Sequence, residues 1–224
     1  MKICAIIPAF DERPYIAEVV GGARRHVDTV VVVDDGSRDG TCEAAESAGA
    51  VCLRHEQNQG KGAALRSGLL YAQAHDFSHV LFLDGDGQHR PEDIPSLISA
   101  AERTGAGLVI GTRSFDRSAM PTQRYYSNSL GSKVASWLAG REILDSQSGF
   151  RLVRLDRLRG IKLQATKYEI EMEMLIKLAR AGCRIEPAPV TMVYDKGRAR
   201  SKMKPIPDTV RICLRSLWFR WASR

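Results

Sequence analysis

Several large protein classes are closed to this 224-residue sequence by what it lacks. It contains no run of about 18 apolar residues, so no segment reads as a membrane-crossing helix. Its five cysteines, Cys4, Cys42, Cys52, Cys183 and Cys213, are odd in number, scattered, and form no CxxC pair. That spacing suits reduced thiols in a cytoplasmic protein rather than a zinc site or a disulfide frame. The phosphate-loop pattern GxxxxGK[ST] is missing, and Gly60-Lys61-Gly62 has no third glycine at dinucleotide-fold spacing. Neither a GxSxG elbow nor a Ser-His-Asp set occurs, so the common hydrolase arrangements are set aside. Met1-Lys2-Ile3-Cys4-Ala5-Ile6-Ile7-Pro8 opens a strand and lacks the layout of a signal peptide. No internal repeat and no linker divides the chain.

What is present is ordinary in bulk and uneven in distribution. A hydrophobic fraction of 44% with 26% charged residues fits a soluble globular domain. The net charge is +7. Residues 193–224 hold nine Lys/Arg against Asp195 and Asp208, which accounts for the whole excess; the first 192 residues balance 24 of each sign. That segment is built to meet negative charge: nucleic acid, an anionic membrane or a phosphorylated substrate.

Residues 80–88, Val-Leu-Phe-Leu-Asp-Gly-Asp-Gly-Gln, organise the rest. The apolar run predicts a buried strand that stops at Asp84 and Asp86. Two carboxylates one residue apart on a glycine-rich turn, followed by Gln88, suit a hard divalent cation such as Mg²⁺ or Mn²⁺ that leaves positions open for substrate phosphates. His89 reads as a solvated turn residue. Upstream, strands are expected at Lys2–Ile7, ended by Pro8, at Val27–Val33 and at Val51–Arg54. Helices are expected from Pro14 to His26, through Ala48, and from Gly62 to Ala74. This cadence predicts a parallel α/β sheet, in which ligands bind beyond the carboxyl ends of the strands. Pro8–Glu12, Asp34–Ser37 and Asp84–Gln88 all lie at such ends, which points to one composite site.

The second half is harder to read. Val109-Ile110-Gly111 ends a strand, residues 112–122 form a loop, and Gln123–Leu138 is helical, with Tyr125 and Tyr126 as packing residues. Arg124 and Asn128 lie four apart, on a face turned either to an acceptor phosphate or to solvent. Glu169, Glu171 and Glu173 enter a helix ending near Arg180, with one of them turned inward. Pro187 and Pro189 make Ile185–Val193 an edge strand. From Asp208 onward Val210, Leu214, Leu217 and Trp221 recur at helical spacing beside Trp218, flanked by Arg211 and Arg215. That stripe serves either as a core-closing helix or as a membrane-surface helix whose arginines reach lipid phosphates.

Pro8-Ala9-Phe10-Asp11-Glu12, Val33-Asp34-Asp35-Gly36-Ser37, Asn58-Gln59-Gly60-Lys61-Gly62-Ala63-Ala64 and Leu83-Asp84-Gly85-Asp86-Gly87-Gln88 resemble the motifs of family 2 glycosyltransferases. Gly111-Thr112-Arg113, Asp145-Ser146-Gln147-Ser148-Gly149-Phe150-Arg151 and Ser201-Lys202 narrow the resemblance to the dolichol-phosphate-mannose-synthase-like branch, from about residue 3 to 204. The resemblance implies a single-domain GT-A fold, a Rossmann-like, mostly parallel sheet flanked by helices. Residues 1–104 would form the nucleotide-binding half, 105–207 the acceptor half, and 208–224 a basic amphipathic helix. It further implies that Pro8, Phe10, Glu12, Val33 and Asp35 line the nucleoside pocket. Asp84, Asp86 and Gln88 would hold the cation, with Gly85 beside them. Arg113, Lys196, Arg198 and Lys202 would face phosphates. Asp11 for Asn, Ser146 for Pro, Lys196 for Arg and Ala199 for Gly depart from the family pattern.

The expected activity is metal-dependent, inverting transfer of a sugar from a nucleotide diphosphate to a polyprenyl phosphate. Asp86 and Arg113 would act at the reacting groups, and Asp145 would be a base candidate if the acceptor were instead a hydroxyl. Transfer to a saccharide alcohol is the alternative within the class. A non-catalytic nucleotide-sugar or nucleic-acid binder is the alternative outside it. The expected setting is cytoplasmic, peripheral at the inner face of an anionic membrane, with no nucleic acid partner.

Overall fold

The computed structural model describes residues 1–113, 122–191 and 205–221. Its frame is a seven-stranded sheet: β1 (Ile3–Ala9), β2 (Thr29–Asp34), β3 (Val51–Arg54), β4 (His79–Phe82), β5 (Leu108–Arg113), β6 (Arg151–Arg154) and β7 (Ile185–Val190). The spatial order is β3-β2-β1-β4-β6-β5-β7. Pairing is parallel except along β6, which runs antiparallel between β4 and β5. Two reversals leave β5 parallel to β4, so both strands end on the same edge.

Strand alternation divides the core into two layers. Ala5, Ile7 and Ala9 turn to one face of the sheet, with Ile16 of α1 (Arg13–Ala23), Ala45 of α2 (Thr41–Ser47) and Leu97 of α4 (Ile94–Thr104). Cys4 and Ile6 turn to the other, with Leu65 of α3 (Lys61–Ala74), Leu138 of α5 (Thr122–Ala139), Leu175 of α6 (Glu169–Arg180) and Ile212 of α7 (Pro205–Trp221).

Two expectations about the first half change. The first strand continues through Pro8 to Ala9. Pairing of β1 with β4 stops at Ile6–Phe82, while pairing with β2 continues through Pro8–Val33. The missing Pro8 N–H therefore falls on the side where β1 no longer has a neighbour, and costs no ladder bond. The cysteines are not all free thiols: Cys42 on α2 and Cys52 on β3 form a disulfide, whereas Cys4, Cys183 and Cys213 are unpaired. The ten-residue spacing gives no motif; packing of α2 against β3 brings the two together.

The start of α3 is in close backbone contact with residues 165–166. Gly62 N–H donates to Thr166 O at 2.8 Å, and Gly60, at φ 96°, lies under the same carbonyl. A Cβ at either glycine would collide with the 165–166 backbone, so the loop before α3 tolerates only glycine there. The late strand β7 is an edge, as its two prolines predict.

Candidate active site

The carboxyl ends of β1, β2 and β4 open onto a cavity of about 340 Å³. Pro8, Phe10, Glu12, Asp35, Asp84, Gly85 and Asp86 line it, joined by Asn58, Lys61, Lys167 and Tyr168. Seven residues singled out in the sequence therefore share one wall. Val33 does not join them. Alternation along β2 turns it into the α3-side core, fully buried with Ile6 and Leu65.

Asp35 reaches the cavity with both oxygens already engaged. Oδ1 accepts from His55 Nδ1 at 2.7 Å and Gln59 N–H at 2.9 Å, and Oδ2 accepts from Gly60 N–H at 2.7 Å. It fixes the 58–60 loop that forms one lip of the pocket.

Asp84 and Asp86 stand in opposite electrostatic states. The Asp84 Oδ1 lies 2.6 Å from Lys61 Nζ, which also lies 2.6 Å from Glu171 Oε1. Burial alone would push the Asp84 carboxyl up, but the charge and hydrogen bond of Lys61, helped by other nearby positive groups including Arg113, together outweigh it and hold the group low. Burial would likewise lower the Lys61 ammonium; its two carboxylate partners raise it instead, so it stays charged. Among the described residues Asp86 has no such ion-pair partner. Burial, then the Asp84 charge, push it up to about 6, against the help of the Gln88 N–H at 3.0 Å.

This local excess of negative charge is the observation that a cation would relieve. Two carboxylates and the Gln88 amide are hard oxygen donors of the kind Mg²⁺ and Mn²⁺ prefer. Among the described residues no three His, Cys, Asp or Glu side chains form a ready cage. A site completed by water and substrate phosphate is consistent with that. The donor set fits the ion. Gly149 leaves room beside it: a Cβ there would sit 2.6 Å from Asp84 Oδ2.

A second cluster lies next to the first. Arg113, ending β5, grips Asp145 with Nε at 2.5 Å and Nη2 at 2.7 Å. The sequence placed both at the reaction, and they are partners. The guanidinium engages both oxygens of the Asp145 carboxylate, and the pair hold each other in place. Arg151 is fully buried and donates to the carbonyls of Ser148, Glu171 and Ser146 at 2.5–2.8 Å, setting the 145–151 turn.

Other expectations need correction. His89 is buried rather than solvated, packs against Phe150 with ring centroids 5.3 Å apart, and has no hydrogen-bond partner among the described residues. Burial pushes its imidazole down to about 4, so it is neutral at physiological pH. All three glutamates of α6 are buried, not one. Glu169 holds Arg211 of α7 at 2.8 Å, Glu171 holds Lys61, and Glu173 caps the Gln164 and Ala165 N–H groups and pairs with Lys177. Arg211, its side chain 39% exposed, is thus held by Glu169 and Asp208 rather than standing free beside the apolar stripe. Tyr126 is 60% exposed instead of packed, and Asn128 is buried, which ends the solvated-face reading at that position. Lys196, Arg198 and Lys202, with Ala199 and Ser201, lie outside the described residues, as do the side chains of Arg124, Trp218 and Trp221.

The sequence alone assigns no individual role to Lys61, Glu171 or Arg151. Lys61 stood inside a quoted motif, and a lysine between two glycines at a helix start was the available signal. Arg151 closed a quoted motif and Glu171 stood in an alternating run, but the contacts Arg151–Glu171 O and Lys61–Glu171 join residues far apart in sequence.

The family model for "Glycosyl transferase family 2" matches residues 4–161. An undecaprenyl-phosphate mannosyltransferase of Micrococcus luteus is 33% identical, over 91% of this chain and 88% of its own. A UDP-N-acetylglucosamine–dolichyl-phosphate N-acetylglucosaminyltransferase of Methanococcus voltae is 29% identical, over 87% and 86%. Among solved structures, glucosyl-3-phosphoglycerate synthase of Mycobacterium tuberculosis, in complex with Mn²⁺, UDP-glucose and phosphoglyceric acid, superposes with a TM-score of 0.75 at 22% identity. That match covers 99% of this chain and 80% of the other, and it shows the shared GT-A architecture. With a seven-stranded, mostly parallel sheet, a strand-end Asp84-Gly85-Asp86 and matches along most of its length, the chain belongs to glycosyltransferase family 2, on the branch that resembles dolichol-phosphate mannose synthase.

Proposed function

We propose that this glycosyltransferase moves a sugar from a nucleotide diphosphate to a polyprenyl phosphate, with inversion at the anomeric carbon. One observation carries the reading: an electronegative turn at Asp84/Asp86 lies beside a turn held by two guanidinium groups, Arg113 and Arg151. A cation-bound diphosphate suits the first and an anionic acceptor the second. The names of the Micrococcus and Methanococcus relatives point the same way.

In this reading residues 1–104 form the donor half and 105–207 the acceptor half. The cavity between Phe10, Glu12 and the Asp35-anchored loop takes the nucleoside. Mg²⁺ or Mn²⁺, held by Asp84, Asp86 and Gln88, would neutralise the leaving diphosphate. Lys61, kept charged by Asp84 and Glu171, adds a fixed positive charge to the same wall. Asp145 fixes the orientation of the Arg113 guanidinium, which we assign to the acceptor phosphate. Lys196, Arg198 and Lys202 are assigned to phosphates on their motif. An acceptor phosphate oxygen attacks the anomeric carbon, and the bond from that carbon to the diphosphate oxygen breaks. The nucleoside diphosphate leaves with the electron pair. A phosphate monoester with a second pKa near ~6 is ionised at neutral pH and needs no base, which agrees with an Asp145 committed to Arg113.

A lipid acceptor places the chain peripherally at the inner face of a membrane, where the anionic leaflet meets the basic segment 193–224. No described helix is long and apolar enough to cross a bilayer. The test is a panel of labelled nucleotide sugars with a short, water-soluble polyprenyl phosphate, run beside a saccharide alcohol, with and without EDTA. Metal-dependent transfer to the phosphate is expected. Transfer to the alcohol alone, or full activity in excess EDTA, would refute the reading.

A further inference from the structure

Lys61 stands between two glycines at the start of α3, and both neighbours are pinned through their backbone. Gly60 N–H donates to Asp35 Oδ2 at 2.7 Å, and Gly62 N–H donates to Thr166 O at 2.8 Å. The lysine backbone is thus held, and any movement belongs to its flexible four-carbon stem. That stem carries the ammonium to the cavity wall, where it meets two carboxylates at once: Asp84 Oδ1 and Glu171 Oε1, each at 2.6 Å. The two differ in what else they serve. Asp84 follows β4 and is assigned to the cation. Glu171 is buried on α6, and its backbone carbonyl accepts from Arg151.

Only one of the lysine's two partners is therefore shared with the cation site. An ammonium on Asp84 and a divalent cation on the same carboxylate repel each other strongly in a wall that water barely reaches. The pair also has little room to spread, because Gly149 backs onto it. A Cβ at Gly149 would lie 2.6 Å from Asp84 Oδ2 and 3.0 Å from Lys61 Nζ. A diphosphate changes this balance. Its oxygens offer the ammonium a new anionic partner, while Glu171 lies outside the cation's donor set and can keep its hold.

We propose that Lys61 is a built-in competitor for Asp84, an internal counter-ion that weakens cation binding until a nucleoside diphosphate arrives. The ammonium then turns on Glu171 toward the diphosphate and releases Asp84 to the cation. No covalent bond changes and no proton moves; one ion pair is exchanged for another. The inference rests on the donor side of the function proposed above and is independent of the acceptor. It makes cation and diphosphate each favour the other's binding through Lys61, because a coupling between two ligands is reciprocal. Glu171 is then a positioning residue, the tether that keeps the lysine at the wall through the exchange.

The test is calorimetric titration of Mn²⁺ into the full chain, alone and with saturating uridine or guanosine diphosphate, for the unaltered protein, Lys61→Met and Arg113→Gln. The unaltered protein is expected to bind Mn²⁺ at least about tenfold more weakly alone than with nucleotide. Lys61→Met should bind Mn²⁺ alone about tenfold more tightly than the unaltered protein, and the gain from nucleotide should shrink by a similar factor. Arg113→Gln removes a neighbouring positive charge that is bonded to Asp145 rather than Asp84, so it should raise Mn²⁺ affinity far less. Thermal unfolding covers a Met variant destabilised by its two unpaired carboxylates: Mn²⁺ alone should raise its Tm by more than that of the unaltered protein. Equal Mn²⁺ affinity in the Met variant and the unaltered protein, an equal gain in Arg113→Gln, or a Met-variant Tm that Mn²⁺ alone does not lift would each overturn the competition and leave the cation site standing. Nucleotide that fails to strengthen Mn²⁺ binding in the unaltered protein would do the same. Absence of Mn²⁺ binding in every condition would remove the cation site itself, and this inference with it.

Discussion

The turn after β4 and the turn at 145–151 lie side by side and solve opposite electrostatic problems. The first places two carboxylates against one ammonium and leaves Asp86 pushed up to about 6. The second pairs the Arg113 guanidinium with the Asp145 carboxylate, while the buried Arg151 guanidinium donates to three backbone carbonyls. Counted over the described residues, carboxylates predominate at one turn and guanidinium groups at the other. Buried charge without compensation is costly, so the imbalance indicates where each substrate charge belongs.

The largest effect is expected from removing the uncompensated carboxylate. Asp86→Ala should cut transfer by about a thousandfold or more, the scale of losing a principal electrostatic contact in a reaction site, while thermal unfolding stays as cooperative as before. Activity within tenfold of the unaltered protein would place the cation elsewhere. Asp84→Ala should match it in activity and also lower stability, because the buried Lys61 loses one of its two carboxylate partners.

On the opposite turn, Arg113→Lys keeps the charge but loses the two-pronged grip on Asp145. Transfer should fall by roughly 10–100-fold, mostly through KM for the acceptor, since positioning is what is lost. A change confined to the nucleotide-sugar KM would reassign Arg113 to the donor.

Asp35→Ala tests the lip of the cavity. Three donors lose their acceptor, so nucleotide binding should weaken by about 1–3 kcal/mol, together with a drop in stability as the 58–60 loop loosens. Lower stability with unchanged nucleotide affinity by calorimetry would make Asp35 a loop anchor and nothing more.

The smallest effect is on stability against pH in metal-free protein. A carboxyl at about 6 in the folded state, against an ordinary 3.8, binds its proton more tightly folded than unfolded. Stability should therefore fall as pH rises from about 4 to about 6 and then level off, by an amount on the order of 1–2 kcal/mol for a partly buried group. Asp86→Asn should flatten that slope in denaturant titrations; an unchanged slope would show that Asp86 is not the group responsible.

Legibility followed the same division. In the first half, strands, turns and ligands are close in sequence, so β3 matched its expected span at Val51–Arg54 and seven expected site residues met on one cavity wall. Val33 failed because a strand-end motif does not say which face a side chain takes. In the second half the deciding contacts span long separations: Arg151 with the Glu171 carbonyl, Lys61 with Glu171, Glu169 with Arg211. An alternation of glutamates looks the same whether it faces water or three cations of the fold, Arg211, Lys61 and Lys177. His89 and the Cys42–Cys52 pair were missed for the same reason, since burial and proximity are products of packing.

The most direct test of the charge division is calorimetric titration of Mn²⁺ into the unaltered protein and Asp86→Asn, each saturated with a nucleoside diphosphate. The expected result is a single site in the unaltered protein, at least about tenfold weaker in the variant. Affinity should fall as pH drops through about 6, where Asp86 takes up its proton. Equal Mn²⁺ affinity in the two proteins, or no binding in either with nucleotide present, would contradict a cation site on the β4 turn.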